Sequence, residues 1–380
     1  MAEVAESASG EVVGGAWPRY DAAVLGFRNY WYPVLFVRQV GRRPRALTLC
    51  GERLVLVRDA GRVYALQDRC AHRGVPLSEG HHAYPGLLTC AYHGWCYDVA
   101  TGELVAALTD GPDSPVCGKA NVRVRSYPVE ERAGLIWVWA GDGPPPPVEE
   151  DIPEELLQPD AVIEGLVEVR RGNWRYAAEN SVDEGHARYL HRDTLWNTFR
   201  DVPAWTQGVA AVPSEDGRWL MRVRREPIFA DTFPRIGRWP RHTPRWKSRG
   251  RGATGFDMRL PGILRVRQRG WTDYQIFIPV DEQRHRAMFL AVRWTSGPDA
   301  ALWRLRFHTY IKALYYGLLN RGQDQWMIEL MDAPPERLYR PDVSLTSWRK
   351  WCHEHARRSA AEARNGATAA NAPAAQPVVP

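Results

Sequence analysis

The chain of 380 residues has a net charge of +6, 44% hydrophobic residues and six cysteines. Such a length accommodates two domains with sizeable cores, and an ordinary apolar fraction excludes wholesale disorder. No apolar run reaches the roughly 18 residues that cross a bilayer, and "MAEVAESASGEVVGGAWP" lacks the basic start and apolar core of a secretory signal. A cytoplasmic protein is expected, with its cysteines as thiols or metal ligands rather than disulfides.

In chain order, residues 1–24 are polar and Gly/Ala-rich and read as a loose arm. Residues 25–143 carry short strand-like runs. "RLVLVRD", "RVYALQD" and "LIWVWAG" are apolar or alternating, and "RDAGR" reads as a hairpin turn between the first two. This is a small all-β unit. Residues 144–159 form a proline-rich, acidic linker. Across 160–357 the runs "VIEGLVEVRRG", "WTDYQIFIPVD" and "RAMFLAVRW" read as strands. "ALWRLRFHTYIKALYYGLLNRGQDQWMIELMD" has apolar positions at helical spacing. A sheet covered by helices makes the whole chain α+β. Residues 358–380 are low in complexity and read as a disordered tail.

The positive charge concentrates in "RIGRWPRHTPRWKSRG", residues 235–250. Interleaved tryptophans raise the idea of a nucleic-acid strip. No nucleic-acid module surrounds them, and the prolines break any helix. A solvated loop or a face for an acidic partner is the expectation.

Two constellations carry chemistry. "CAHRGVPLSEG" and "CAYHGWCYD" supply Cys70-x-His72 and Cys90-x-x-His93. On two loops of a small β unit they bring two thiols and two imidazoles to one point. A zinc site usually takes both cysteines from one element and both histidines from another. Here each loop gives one of each, which suits a [2Fe–2S] cluster with two thiolates on one iron and two imidazoles on the other. A structural zinc protein is the remaining rival.

The second constellation, "NWRYAAENSVDEGHARYLHRD", holds Asn180, Asp183, His186 and His191. Asp183 and His186, three apart, share a face if the stretch is helical. His186 and His191, five apart, point about 140° from each other on an ideal helix, so they share a metal only if the helix ends or bends between them. Two imidazoles and one carboxylate leave open positions on an iron. Asp324 is the choice for the carboxylate, with Glu329 and Asp332 as alternatives. Asn180 is a candidate for steering substrate or O₂, or a plain helix amide. The remaining histidines (His81, His82, His242, His285, His308, His353, His355) show no partner pattern and read as structural.

With both constellations, the chain resembles the catalytic α subunit of the Rieske non-haem iron oxygenases over about residues 25–350. "LGFRNYWYPVLF", "DRCAHRGVPLS", "GDGPPPP" and "LPGILRV" followed by "IPVDE" are similar to the carbazole 1,9a-dioxygenase oxygenase group. The resemblance implies an all-β Rieske domain followed by a helix-grip-like antiparallel sheet covered by helices. It implies a [2Fe–2S] cluster on Cys70, His72, Cys90 and His93, and a mononuclear Fe(II) on His186, His191 and Asp324. Electrons would come from NAD(P)H through a reductase, a ferredoxin or both. A homotrimer would set one subunit's cluster beside the next subunit's iron, with Asp183 bridging His93 and His186. Respiratory Rieske proteins carry a further cysteine in each loop; here Cys96 has no counterpart after His72 and reads as a packed thiol. Carbazole enzymes space their iron histidines one residue closer, and the gap here is that of dicamba-type demethylases. The implied activity is hydroxylation of an organic, aromatic or polycyclic substrate by mono- or dioxygenation. The alternatives are oxidative O- or N-demethylation and, in another class, electron transfer or redox sensing. Neither nucleic acid nor membrane is an expected partner.

Overall fold

The computed structural model describes residues 16–111, 113–183, 186, 190–191, 209–224, 255–331, 336–339 and 342–358. The Arg/Trp-rich stretch 235–250, Asp332 and the tail beyond 358 lie outside them.

Strands β1 (Tyr30–Phe36), β2 (Arg45–Leu49), β3 (Glu52–Asp59), β4 (Arg62–Gln67), β5 (His81–Tyr84), β6 (Leu87–Thr89), β7 (Trp95–Asp98), β8 (Leu104–Ala107), β9 (Ser126–Tyr127), β10 (Val129–Arg132) and β11 (Leu135–Ala140) build the N-terminal part. They pair antiparallel in the orders β1-β11-β10, β2-β3-β4-β9 and β5-β6-β7-β8. The apolar run of β11 is buried throughout because the strand sits between two neighbours. The β3–β4 hairpin turns on Ala60 and Gly61, at φ 44° and 82°, which matches the twist of the flanking strands.

The C-terminal part is one antiparallel sheet. Its described strands are β12 (Ala161–Arg171), β13 (Val209–Pro213), β14 (Leu220–Arg224), β15 (Gly255–Arg259), β16 (Ile263–Gln268), β17 (Trp271–Pro279) and β18 (Arg284–Trp294), in the order β12-β18-β17-β16-β15-β14-β13. Strand alternation divides β18 between two cores. Met288, Leu290 and Val292 join the core shared with the N-terminal strands, while Ala287, Phe289 and Ala291 meet the long C-terminal helix. The described helices are α1 (Pro18–Ala22), α2 (Trp174–Val182), α3 (Gly297–Arg306), α4 (Gln325–Leu330) and α5 (Val343–His355).

Between α3 and α4 the expected helix departs from α geometry. Phe307–Asp324 is wound as π-helix, and the Gln325 N–H reaches the Asn320 carbonyl five residues back. The buried residues there are Phe307, Ile311, Tyr316, Asn320 and Asp324, a repeat of four to five rather than 3.6.

The end of the arm is not loose, contrary to expectation. α1 packs down with Tyr20 buried, and the Tyr20 hydroxyl donates to Glu179 Oε1 at 2.6 Å. Arg349 on α5 holds both oxygens of the same carboxylate, at 2.7 and 2.9 Å. α1 and α5 thus meet on α2. Removing one partner of such a buried pair costs about 3–5 kcal/mol. The acidic linker is likewise strapped down. Asp151 is buried and accepts from the Trp31 N–H at 2.8 Å and Arg357 at 2.9 Å. Glu155 pairs with Arg265 and accepts from the Tyr274 hydroxyl at 3.1 Å.

Candidate metal centres

The two Cys/His loops are built alike. Cys70 N–H bonds the Val75 carbonyl at 2.9 Å and Gly74 N–H returns to Cys70 at 2.9 Å; Cys90 N–H bonds the Trp95 carbonyl at 2.8 Å and Gly94 N–H returns to Cys90 at 3.1 Å. Each turn closes on a glycine at positive φ, 75° and 65°. A Cβ on Gly94 would stand 2.9 Å from Leu108, so that loop has no room for a side chain.

These turns sink the sulfurs and raise the imidazoles. Cys70 and Cys90 are 3% exposed, whereas His72 is exposed and His93 half-buried. The two rings lie 4.7 Å apart, His72 stacked on Trp95 and His93 tilted against Tyr92. Tyr97 OH accepts the Ala71 N–H at 3.0 Å and lies 3.1 Å from Cys70 Sγ. With Cys70 as a thiolate the phenol is the donor, and a hydrogen bond to a cluster sulfur is one lever on its potential. Burial pushes the Cys90 thiol up, and the neighbouring Cys70 adds to it, so metal loading releases protons here. Two buried sulfurs below two surface imidazoles fit a Rieske cluster with its histidine edge toward a partner. Cys96 is the packed thiol expected of it, fully buried at 3.3 Å from Thr89 Oγ1.

The second centre draws on α2, the chain just after it and the π-wound segment. α2 starts with the Asn173 side chain accepting the Arg175 N–H and ends at Asp183, whose ψ of 116° is extended. Asp183 and His186 therefore do not share one helix face, as the i, i+3 spacing suggested. Asp183 instead acts across the break: its Oδ2 lies 3.3 Å from the His186 N–H and 3.5 Å from His186 Nδ1. Leu190 N–H bonds the His186 carbonyl at 2.7 Å, and Leu190 and His191 lie in a turn. That turn brings the second imidazole round, with ring centroids 5.4 Å apart.

Asp324 arrives from the other side. Its Oδ1 lies 3.5 Å from His186 Nε2 and 3.1 Å from His191 Nε2. One donor atom from each of His186, His191 and Asp324 falls within 4.8 Å of the others. Asp324 Oδ1 is nevertheless buried without a hydrogen bond. Short contacts with poor alignment are what donors aimed at a common cation show. Gln323, which the sequence reading did not single out, lies with Oε1 2.6 Å from His191 Nδ1. An amide oxygen there keeps the proton on Nδ1 and leaves Nε2 to a metal. Burial disfavours the His186 cation, but pairing with Asp183 and Asp324 outweighs it and holds the pKa up at about 9. Burial would likewise raise Asp324, yet the two histidines pull it down to about 2. A metal entering this site displaces a proton from His186.

Among the other candidates, Glu329 is engaged by Gln325 at 2.9 Å, and Asp332 lies outside the described residues. Asn180 is buried on α2, and among the described residues no hydrogen bond joins it to the three donors. His285, fully buried and donating its Nδ1–H to the Gly172 carbonyl at 2.8 Å, is kept neutral by burial, its pKa down at about 4.

A paired Cys/His loop set and a three-donor open centre on one chain define a two-centre redox protein. Comparison with known proteins agrees. Residues 30–128 match the Rieske [2Fe–2S] domain and residues 139–359 the homotrimeric ring hydroxylase family. The terminal oxygenase component of a carbazole 1,9a-dioxygenase from a Sphingomonas species is 32% identical over 90% of this chain and 95% of its own length. A methylxanthine N3-demethylase of Pseudomonas putida is 27% identical over 89% and 91%. A solved fluorene-bound oxygenase–ferredoxin complex of carbazole 1,9a-dioxygenase superposes with a TM-score of 0.78 at 30% identity, covering 90% of this chain and 94% of that one. The chain belongs to the Rieske ring-hydroxylating oxygenases, as a terminal oxygenase component. Its cofactors are a [2Fe–2S] cluster and a mononuclear non-haem iron.

Protein purified without air is brown, and once reduced it shows a Rieske-type paramagnetic signal at a potential within about −150 to +300 mV. Redox titration followed by electron paramagnetic resonance checks this. A colourless protein holding one zinc would refute the cluster.

Proposed function

We propose that Cys70, His72, Cys90 and His93 hold the cluster, and that His186, His191 and Asp324 hold the iron, for oxygenation of an aromatic or polycyclic substrate. The observation that carries this reading is the convergence of three donor atoms within 4.8 Å, on a chain that also carries the paired loops. When bound, the iron supplies reductive activation of O₂ with electrons relayed by the cluster. The chain's part would be to hold that iron through His186, His191 and Asp324, a donor set that suits non-haem iron and O₂ chemistry. The Gln323 amide orients His191, and Asp183 orients His186.

The electron donor we propose is a ferredoxin served by an NAD(P)H-dependent reductase, in the cytoplasm. Support comes from the ferredoxin complex of the relative and from the exposed His72 edge. In the single chain the Asp183 side chain is one third exposed beside His186, so in a trimer a neighbouring subunit's cluster histidine can reach it.

The test is NADH-driven O₂ uptake with the loaded protein, a reductase and a ferredoxin, with carbazole and fluorene as first probes. Labelled O₂ counts the oxygen atoms entering product and so separates mono- from dioxygenation. Methylxanthines are the second probe set, motivated by the demethylase relative. Formaldehyde release would mark demethylation. A protein with both metals loaded and a reducible cluster, yet no substrate-dependent O₂ uptake, would return the chain to the electron-transfer class.

A further inference from the structure

Asp273 on β17 has no exposed surface. Its carboxylate sits where the sheet meets the long helix and takes three hydrogen bonds. Tyr316 donates at 2.5 Å to one oxygen; Tyr315 at 3.1 Å and the Gln275 amide at 2.8 Å donate to the other. Gln268 donates to the Tyr315 hydroxyl at 3.2 Å, which leaves the phenol's own proton for Asp273. Trp271, two residues earlier on the same strand face, packs on Trp303 and Tyr315.

The other end of the Gln275 amide faces α2. Its Oε1 lies 3.5 Å from Ser181 Oγ, a long contact that competes with the 2.9 Å bond from the same hydroxyl to the Ala177 carbonyl. One carboxylate therefore links the π-wound segment that ends at Asp324 with the helix that runs into Asp183 and His186. Adjacent Tyr315 and Tyr316 divide between the two carboxylate oxygens. Burial pushes Asp273 up to about 6 in spite of its donors, so near neutral pH it is still an acceptor for all three.

We propose that Asp273 is a positioning residue, the hub of a buried bridge that fixes the gap between His186 and Asp324. The inference rests on the assignment of His186, His191 and Asp324 as ligands and deepens it. An apolar residue at the hub would fill the space but leave two phenols and an amide without an acceptor. The helix could then slide on the sheet by the few tenths of an ångström that metal geometry does not tolerate.

The experiment is a Co(II) titration of protein whose mononuclear site has been emptied by mild chelation, with the cluster left in place. Binding is read from Co(II) ligand-field absorption, and folding from the melting temperature and the cluster spectrum. Asp273→Asn is expected to bind Co(II) about 10–100-fold more weakly, the range for residues that orient ligands, with an altered ligand-field band and an unchanged cluster. Tyr316→Phe, which deletes only the shortest bond, shifts both readouts the same way by less. A role in general stability alone would lower the melting temperature and leave affinity and band as in the parent. That result in folded Asp273→Asn overturns the bridge. If Asp273→Asn does not fold, the same result in Tyr316→Phe overturns it. Parental Co(II) binding in Asp324→Ala, run alongside, would instead overturn the ligand assignment itself.

Discussion

Alanine at His186, His191 or Asp324 abolishes turnover and empties the mononuclear site, while the cluster keeps its spectrum. These residues supply the three donor atoms that lie within 4.8 Å of one another, so on the proposed assignment each variant removes a direct ligand and leaves two. Partners that only orient ligands are worth about 10–100-fold in affinity or activity, and loss of a ligand exceeds that. The cluster is spared because the four residues proposed to hold it sit on the β4–β5 and β6–β7 loops, beside a separate core of Val55, Leu66, Leu88 and Tyr97. Iron analysis with paramagnetic resonance of the reduced cluster checks all three variants. Asp324→Ala is the most informative. Full iron and activity there would move the carboxylate to Asp332, since Glu329 is already held by Gln325. Iron lost from the His186 variant but not the His191 variant would break the pair and the facial arrangement with it.

Both candidate metal motifs stand out in the sequence because metal chemistry restricts residue type and spacing together. Cys-x-His and Cys-x-x-His on two loops admit few readings, and the turns that realise them rest on Gly74 and Gly94, visible in the same strings. The strands of the large sheet were legible from alternation and apolar runs. The π-winding was not, because apolar spacings of three, four and five residues overlap in one stretch. Only the buried series Phe307, Ile311, Tyr316, Asn320, Asp324 shows the wider repeat, and two of its members are polar. The break at Asp183 was also hidden. Spacing of three residues before His186 matches a helix face, yet the chain puts an extended residue there and lets the carboxylate span the gap. Gln323 and Asp273 gave no signal, because the partners that tie them across the fold are 132 residues away on His191 and 42 and 43 residues away on Tyr315 and Tyr316. The arm looked loose from composition. It is held because Glu179, a charge on an otherwise buried helix face, needs Tyr20 and Arg349 to be tolerated there.

Asp183→Asn keeps both metals and the trimer but slows electron delivery to the iron by about a hundredfold or more, the upper range for a residue that couples through ligands. Asp183 is not among the three converging donors, so iron does not depend on it. It lies 3.5 Å from His186 Nδ1, and its side chain is one third exposed, which places a carboxylate oxygen between a ligand and the protein surface. The cluster's histidine edge is also at the surface, with His72 exposed and Tyr92 beside His93. In a trimer the two edges can meet, and a carboxylate accepts from an imidazole on each side. Asparagine has nearly the same shape, but one of its two ends donates, so it cannot accept from both histidines at once. The cluster should still be reduced by its donor, because nothing near His72 changes. Reoxidation of the pre-reduced cluster by O₂ in the presence of substrate should slow, and product formation with it. Stopped-flow absorbance of the cluster reads the first, and product yield the second. The sign of the result separates two roles. If Asp183 only orients His186, the variant loses iron and reoxidises in proportion to the iron that remains. If it links the centres, iron stays full and the electrons arrive late. A variant with full iron that reoxidises and turns over like the parent leaves Asp183 no part in the path.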